Sequence, residues 1–69
     1  MTEAEAMLVV SYARNNMSIA AVAKELFYHR NTVSYNFDKI AIKMGLDPRN
    51  FFDLGELYTI AIAVLDDDY

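Results

Sequence analysis

Residues Ser18–Met44 read SIAAVAKELFYHRNTVSYNFDKIAIKM, and this stretch decides the fold. Ser18 is a side-chain oxygen cap, and Ile19, Val22, Ala23 and Leu26 behind it recur on one face at helical spacing. Phe27-Tyr28-His29 interrupts that pattern with a bend. Apolar residues resume at Val33, Phe37, Ile40, Ala41 and Met44, the buried stripe of a further helix beginning between Arg30 and Thr32. Either His29 or Asn31 can cap it, and asparagine is the better cap by propensity. Small Ala23 sits mid-helix, where a crossing helix must approach closely. Two short helices about a tight bend form a helix-turn-helix, with Ser18–Leu26 as positioning helix and about Arg30–Met44 as recognition helix.

Outward from this core the chain remains helical. Thr2 and Glu5 have capping-box spacing and open a first helix through Met7, Leu8, Val10, Tyr12 and Ala13 to about Arg14. Asn15-Asn16 ends it, because asparagine tolerates turn and left-handed conformations. Gly45 fits a left-handed residue closing the recognition helix, and Pro48 blocks its resumption. Phe51 and Phe52 are expected as apolar plugs against the bundle. Asp53 and Glu56 have capping-box spacing for a last helix through Leu57, Ile60, Ala61, Val64 and Leu65. The β-branched run TIAIAV also suits a strand, but cap and spacing agree on helix. The expected fold is all-α: one domain over 1–69, four to five helices, a helix-turn-helix core at 18–44 and an acidic tail at 66–69.

With 69 residues and no cysteine, the chain depends on apolar packing, and disulfides and thiolate metal sites are excluded. One histidine makes a structural zinc site untenable, and consecutive aspartates in the tail offer no cage of further ligands. No cofactor or metal is expected. His29 has no nucleophile and orienting acid at a recognisable spacing, so catalysis on a small-molecule substrate is not expected. No apolar run is long enough to span a bilayer, and MTEAEAML lacks a basic flank. A cytoplasmic protein is expected.

The net charge of −4 opposes nucleic-acid binding until its distribution is considered. All six bases lie between positions 14 and 49, against three acids there, leaving that segment at +3 between acidic ends. At about 100° per residue, Val33, Phe37, Ile40 and Met44 point to one side of the recognition helix. Asn31, Ser34, Tyr35, Asp38 and, more laterally, Lys39 point away. With Arg30 and Thr32 this is a surface fitted to a DNA major groove: asparagine pairs with adenine, arginine with guanine, and hydroxyls meet phosphate or base.

The run LFYHRNTVSYNFDKI, followed by GLDPRNFFDLGELYTIAIAVL, resembles the C-terminal helix-turn-helix domain of PucR-type bacterial transcriptional regulators, a group that includes sugar-diacid regulators. The match lies at Leu26, Phe27, His29–Val33, Tyr35, Phe37, Ile40, Gly45–Asp47 and Glu56–Tyr58. Such domains bind DNA, so the resemblance implies a transcription factor with Arg30, Asn31, Thr32 and Tyr35 at the DNA face. It also sharpens a difference. Ser34, Asn36, Asp38 and Lys39 stand where such domains carry a basic pattern around Tyr35, so most of that positive charge is gone.

The candidate DNA-binding residues are therefore His29, Arg30, Asn31, Thr32, Ser34 and Tyr35, with Lys24, Lys39 and Lys43 near phosphate. His29, Asn31 and Thr32 also serve as plain helix-start residues, and Tyr35 as a half-buried aromatic. Phe27 stands where many such bends place glycine; a phenylalanine at positive φ is strained, so a different local turn is expected. The expected partners are double-stranded DNA and a second copy through the apolar last helix, with no membrane. The alternative is a protein-interaction module that keeps this fold without DNA affinity.

Overall fold

The computed structural model describes residues 1–66 and contains four helices: α1 (Glu3–Arg14), α2 (Ile19–Leu26), α3 (Arg30–Met44) and α4 (Phe51–Asp66). No strand occurs among them, and Asp66 closes α4, so the rest of the expected acidic tail lies outside the described residues.

The α1 capping box forms as its spacing predicts. The Glu5 amide donates to Thr2 Oγ1 at 3.1 Å, and the Thr2 amide donates to Glu5 Oε1 at 2.9 Å. Asn15 caps the other end, and Asn16 and Met17 follow at φ of 56° and 61°. This lets the Met17 amide reach the Tyr12 carbonyl at 2.8 Å, closing the helix end. Ser18 Oγ then accepts the Ala21 amide at 3.1 Å and starts α2.

The core gathers Leu8, Val9 and Tyr12 of α1, Val22 and Ala23 of α2, Val33, Phe37 and Ile40 of α3, and Leu54, Leu57 and Ala61 of α4. The Tyr12 and Phe37 rings meet edge to face, 4.8 Å between centroids, pinning α3 to α1. Ala23 is buried as the crossing requires. Glu25 staples α2 to α1: its Oε2 accepts from Ser11 Oγ at 2.5 Å and Asn15 Nδ2 at 2.6 Å. These contacts fix the angle at which α3 is presented.

Three expectations are corrected, and the choice left open at the α3 cap is settled. Phe27 does not avoid the left-handed region; it adopts φ 60°, ψ 40°. The reason lies in the α2 terminus, where both the Phe27 and the Tyr28 amides bond to the Ala23 carbonyl, a closure that needs a left-handed residue between. His29, not Asn31, caps α3, since Nδ1 accepts the Asn31 amide at 3.0 Å. The Asp53–Glu56 box does not form. Asn50 Oδ1 takes the Phe52 and Asp53 amides, both at 3.0 Å, and starts α4 three residues earlier. Asp53 instead accepts the Asp47 amide at 3.0 Å and clasps the connection between α3 and α4. Finally, Phe51 and Phe52 are not plugs: they are 70% and 81% exposed. Leu54, Leu57 and Ala61 face the core, and Phe52 projects about 160° away from Leu54.

Candidate nucleic-acid interface

The α3 start is polar and open. His29, Arg30, Asn31 and Thr32 are all exposed and share its first turn, with Thr32 and Val33 amides bonded to the His29 carbonyl at 3.0 and 3.2 Å. Because Nδ1 accepts the Asn31 amide, the neutral His29 ring carries its proton on Nε2, which leaves an outer donor for a ligand. The backbone here is braced from behind by the buried Val33, so the turn is held rigid while its side chains stay in water.

One turn further, Tyr35 is 63% exposed, which removes the half-buried reading of this ring. Lys39 Nζ lies 5.6 Å from the Tyr35 ring centre, within cation–π reach, so the two side chains form one patch. Ser34 is half-buried at its edge. Asn36 turns back along α3, donating Nδ2 to the Thr32 carbonyl at 2.8 Å. On α2, Lys24 is exposed. Among the described residues, no salt bridge engages Lys24, Arg30 or Lys39.

Lys43 is placed differently. Its Nζ meets both oxygens of Glu5 at 2.9 and 3.0 Å, joining the end of α3 to the start of α1. The Glu5 side chain is only 7% exposed. Burial there raises its pKa, but the Thr2 amide and hydroxyl and the Lys43 ammonium outweigh burial and hold it below the usual value.

Arg49 was not among the candidate residues. Its Nη2 lies 2.7 Å from Asp38 Oδ1, on the same α3 stripe as Asn31, Ser34 and Tyr35, and its Nε lies 3.0 Å from Asp47 Oδ1. The bond to Asp38, then that to Asp47, raises the guanidinium pKa further. The charge of the acid on this face is thus partly offset by a cation from the α3–α4 connection, shared with Asp47. Its signal was Asp47-Pro48-Arg49, an Asx turn in which Asp47 Oδ1 also accepts the Arg49 amide at 3.0 Å. A second missed feature is an open apolar groove of about 720 Å³ between the end of α1 and the start of α4, lined by Arg14, Met17, Phe51, Phe52, Gly55 and Tyr58 among others.

Among the described residues no group of three or more His, Asp or Glu is placed to hold a metal ion, and no helix is long and apolar enough to cross a membrane.

The PucR C-terminal helix-turn-helix domain matches residues 7–63 of this chain. The chain is also similar to the carbohydrate diacid regulator of Escherichia coli (strain K12), 40% identical over 50 residues. That stretch covers 72% of this chain and 13% of the relative, so the chain spans a small fraction of the curated protein it matches. No solved structure matches. With its helix-turn-helix assembled and most of its length matched, the chain belongs to the family of PucR C-terminal helix-turn-helix domains, a family of transcriptional regulators and not of enzymes.

Proposed function

We propose that this chain is the sequence-specific DNA-binding domain of a bacterial transcriptional regulator and that α3 enters the major groove by its N-terminal half. One observation carries the reading: the exposed side of the first three turns of α3 presents Arg30, Asn31, Thr32 and the Tyr35–Lys39 patch, with no ion pair tying up Arg30 or Lys39. Arg30 and Asn31 reach base edges, with Ser34 and Tyr35 beside them. His29 Nε2, Thr32, Lys24 and Lys39 meet phosphate and fix the register. Lys43, tied to Glu5, braces α3 and lies outside the contact set. A two-fold pair joined through α4 presents two such helices to paired half-sites.

An amide chemical-shift titration with mixed-sequence duplex DNA, at low and moderate salt, tests this. Shifts confined to Ser18, Lys24 and His29–Lys39 that fade with salt support the docking. No shift at low salt sinks it. The second reading, a protein-interaction module, is favoured by the net charge of −4 and by Ser34, Asn36 and Asp38 in place of bases. Arg30→Ala separates the two: it abolishes specific DNA binding under the first and leaves partner binding intact under the second.

A further inference from the structure

The exposed face of α4 is unusually apolar. Phe51, Phe52, Gly55, Thr59, Ile62 and Ala63 are all exposed and, at about 100° per residue, fall within one broad stripe. The two phenylalanine rings alone leave on the order of 300 Å² of apolar surface in water, a patch of the size that marks an interaction site. The stripe continues into the groove beside the α1 terminus.

Charge selects the occupant. Helix α4 contains no Lys or Arg; its exposed charges are Glu56 near the middle and Asp66 at the C-terminal end. The groove at its N-terminal end carries one charge, Arg14, which is exposed and in no salt bridge among the described residues, though its charge also reaches the Glu25 carboxylate of α2. The acid at one end of this surface therefore matches the base at the other, which is the condition for a self-complementary, two-fold contact. Parallel pairing of α4 with a copy brings the two Asp66 carboxylates together. Antiparallel pairing centred on Thr59 separates them by about 21 Å along the helix axis, beyond a Debye length at physiological salt. It also sets each Asp66 at the positive N-terminal end of the opposing α4, beside Arg14. In that register Ile62 and Ala63 of one copy fall opposite Glu56 and Gly55 of the other, and apart from α4's own adjoining backbone and chain neighbours nothing lies within 4 Å of where a Gly55 Cβ would stand, so the small residue leaves room for an entering side chain.

We infer that α4, with the Arg14–Phe52 groove, is the contact surface for a second copy of this chain, packed antiparallel about Thr59. This deepens the pairing proposed above, and its test uses no DNA, so it fails or stands apart from the DNA reading. Sedimentation equilibrium is expected to show a concentration-dependent dimer. Phe52→Asp and Arg14→Glu each weaken it at least tenfold, and Arg14→Glu with Asp66→Arg restores it. The natural chain has no cysteine, so Thr59→Cys provides a single thiol at the two-fold axis. Under mild oxidation it gives a disulfide-linked dimer, whereas Ala20→Cys, on exposed α2, does not. Three results overturn the inference: a monomer at millimolar concentration, a dimer indifferent to Phe52→Asp and Arg14→Glu, or a dimer in which Thr59→Cys fails to cross-link.

Discussion

Asp38 shows how one side chain's meaning depends on its partner. Alone, it is an acid on the face proposed to meet phosphate; paired with Arg49 at 2.7 Å, its charge is partly offset although the carboxylate stays exposed. Under the DNA reading, Arg49→Ala removes that offset and weakens duplex binding several-fold at low salt. Asp38→Asn releases the guanidinium and strengthens it, and the double variant returns near the starting affinity. A fluorescence-anisotropy cycle reads this, and an Arg49→Ala loss that persists in the double variant rejects the offset. Phe27 makes the opposite point. Its ring is 95% exposed and its backbone left-handed, so it contributes little burial and bears a conformational penalty. Phe27→Gly is expected to stabilise the fold by about 1 kcal/mol, visible as a melting temperature several degrees higher. The sequence showed that a glycine position was occupied by phenylalanine. It did not show that the α2 carbonyls would impose the left-handed turn regardless, because two backbone bonds to Ala23 outweigh one residue's preference.

At the scale of elements, the joints between helices hold the interface in place. The Glu5–Lys43 bridge joins α1 to α3, and Glu5 is nearly buried while Lys43 keeps 45% of its side chain in water. Lys43→Met is expected to cost about 1–2 kcal/mol, less than a fully buried pair because water already screens the ammonium. The same bridge sets a pH dependence. The Glu5 pKa is depressed on folding, so its contribution is fully present above the ordinary value of 4.5 and is lost as pH falls through the lower folded value. Thermal melts from pH 7 downward therefore show an acid-side loss that Glu5→Gln reduces; equal slopes in both proteins would exclude Glu5 as its source. Helix boundaries were legible wherever the cap was unambiguous, as at Thr2, Ser18 and Gly45. The start of α4 was misread because Asp53 and Glu56 fit a capping box by spacing, whereas asparagine three residues earlier is an equally good cap. Asn50 won, and with it Phe51 and Phe52 moved from expected core to exposed first turn. Asn50→Ala is expected to destabilise the protein by about 1 kcal/mol, whereas Asp53→Asn, which does not cap α4, is expected to cost less.

For the whole molecule, the charge pattern sets how DNA binding depends on salt. A chain of net charge −4 gains nothing from its overall field near a polyanion, so affinity rests on the few cations free to meet phosphate. Sequence position placed Lys43 near phosphate and counted Arg49 in the basic middle. The folded chain withdraws Lys43 and Arg49 into ion pairs with acids distant in sequence, Glu5 and Asp38, contacts no local pattern reveals. Lys24, Arg30 and Lys39 remain for the α3 face. With two or three phosphate contacts per chain, the logarithm of the binding constant falls against the logarithm of salt concentration with a slope of about −2 to −3. Two chains joined through α4 and docked on paired half-sites roughly double that slope. The disulfide-linked Thr59→Cys dimer on a duplex with two-fold symmetry, measured beside the uncross-linked Phe52→Asp monomer, compares the two states directly. A doubled slope for the linked protein means both α3 helices engage DNA at once. An unchanged slope means that the α4 pairing, even where it forms, does not set the two recognition helices for one duplex.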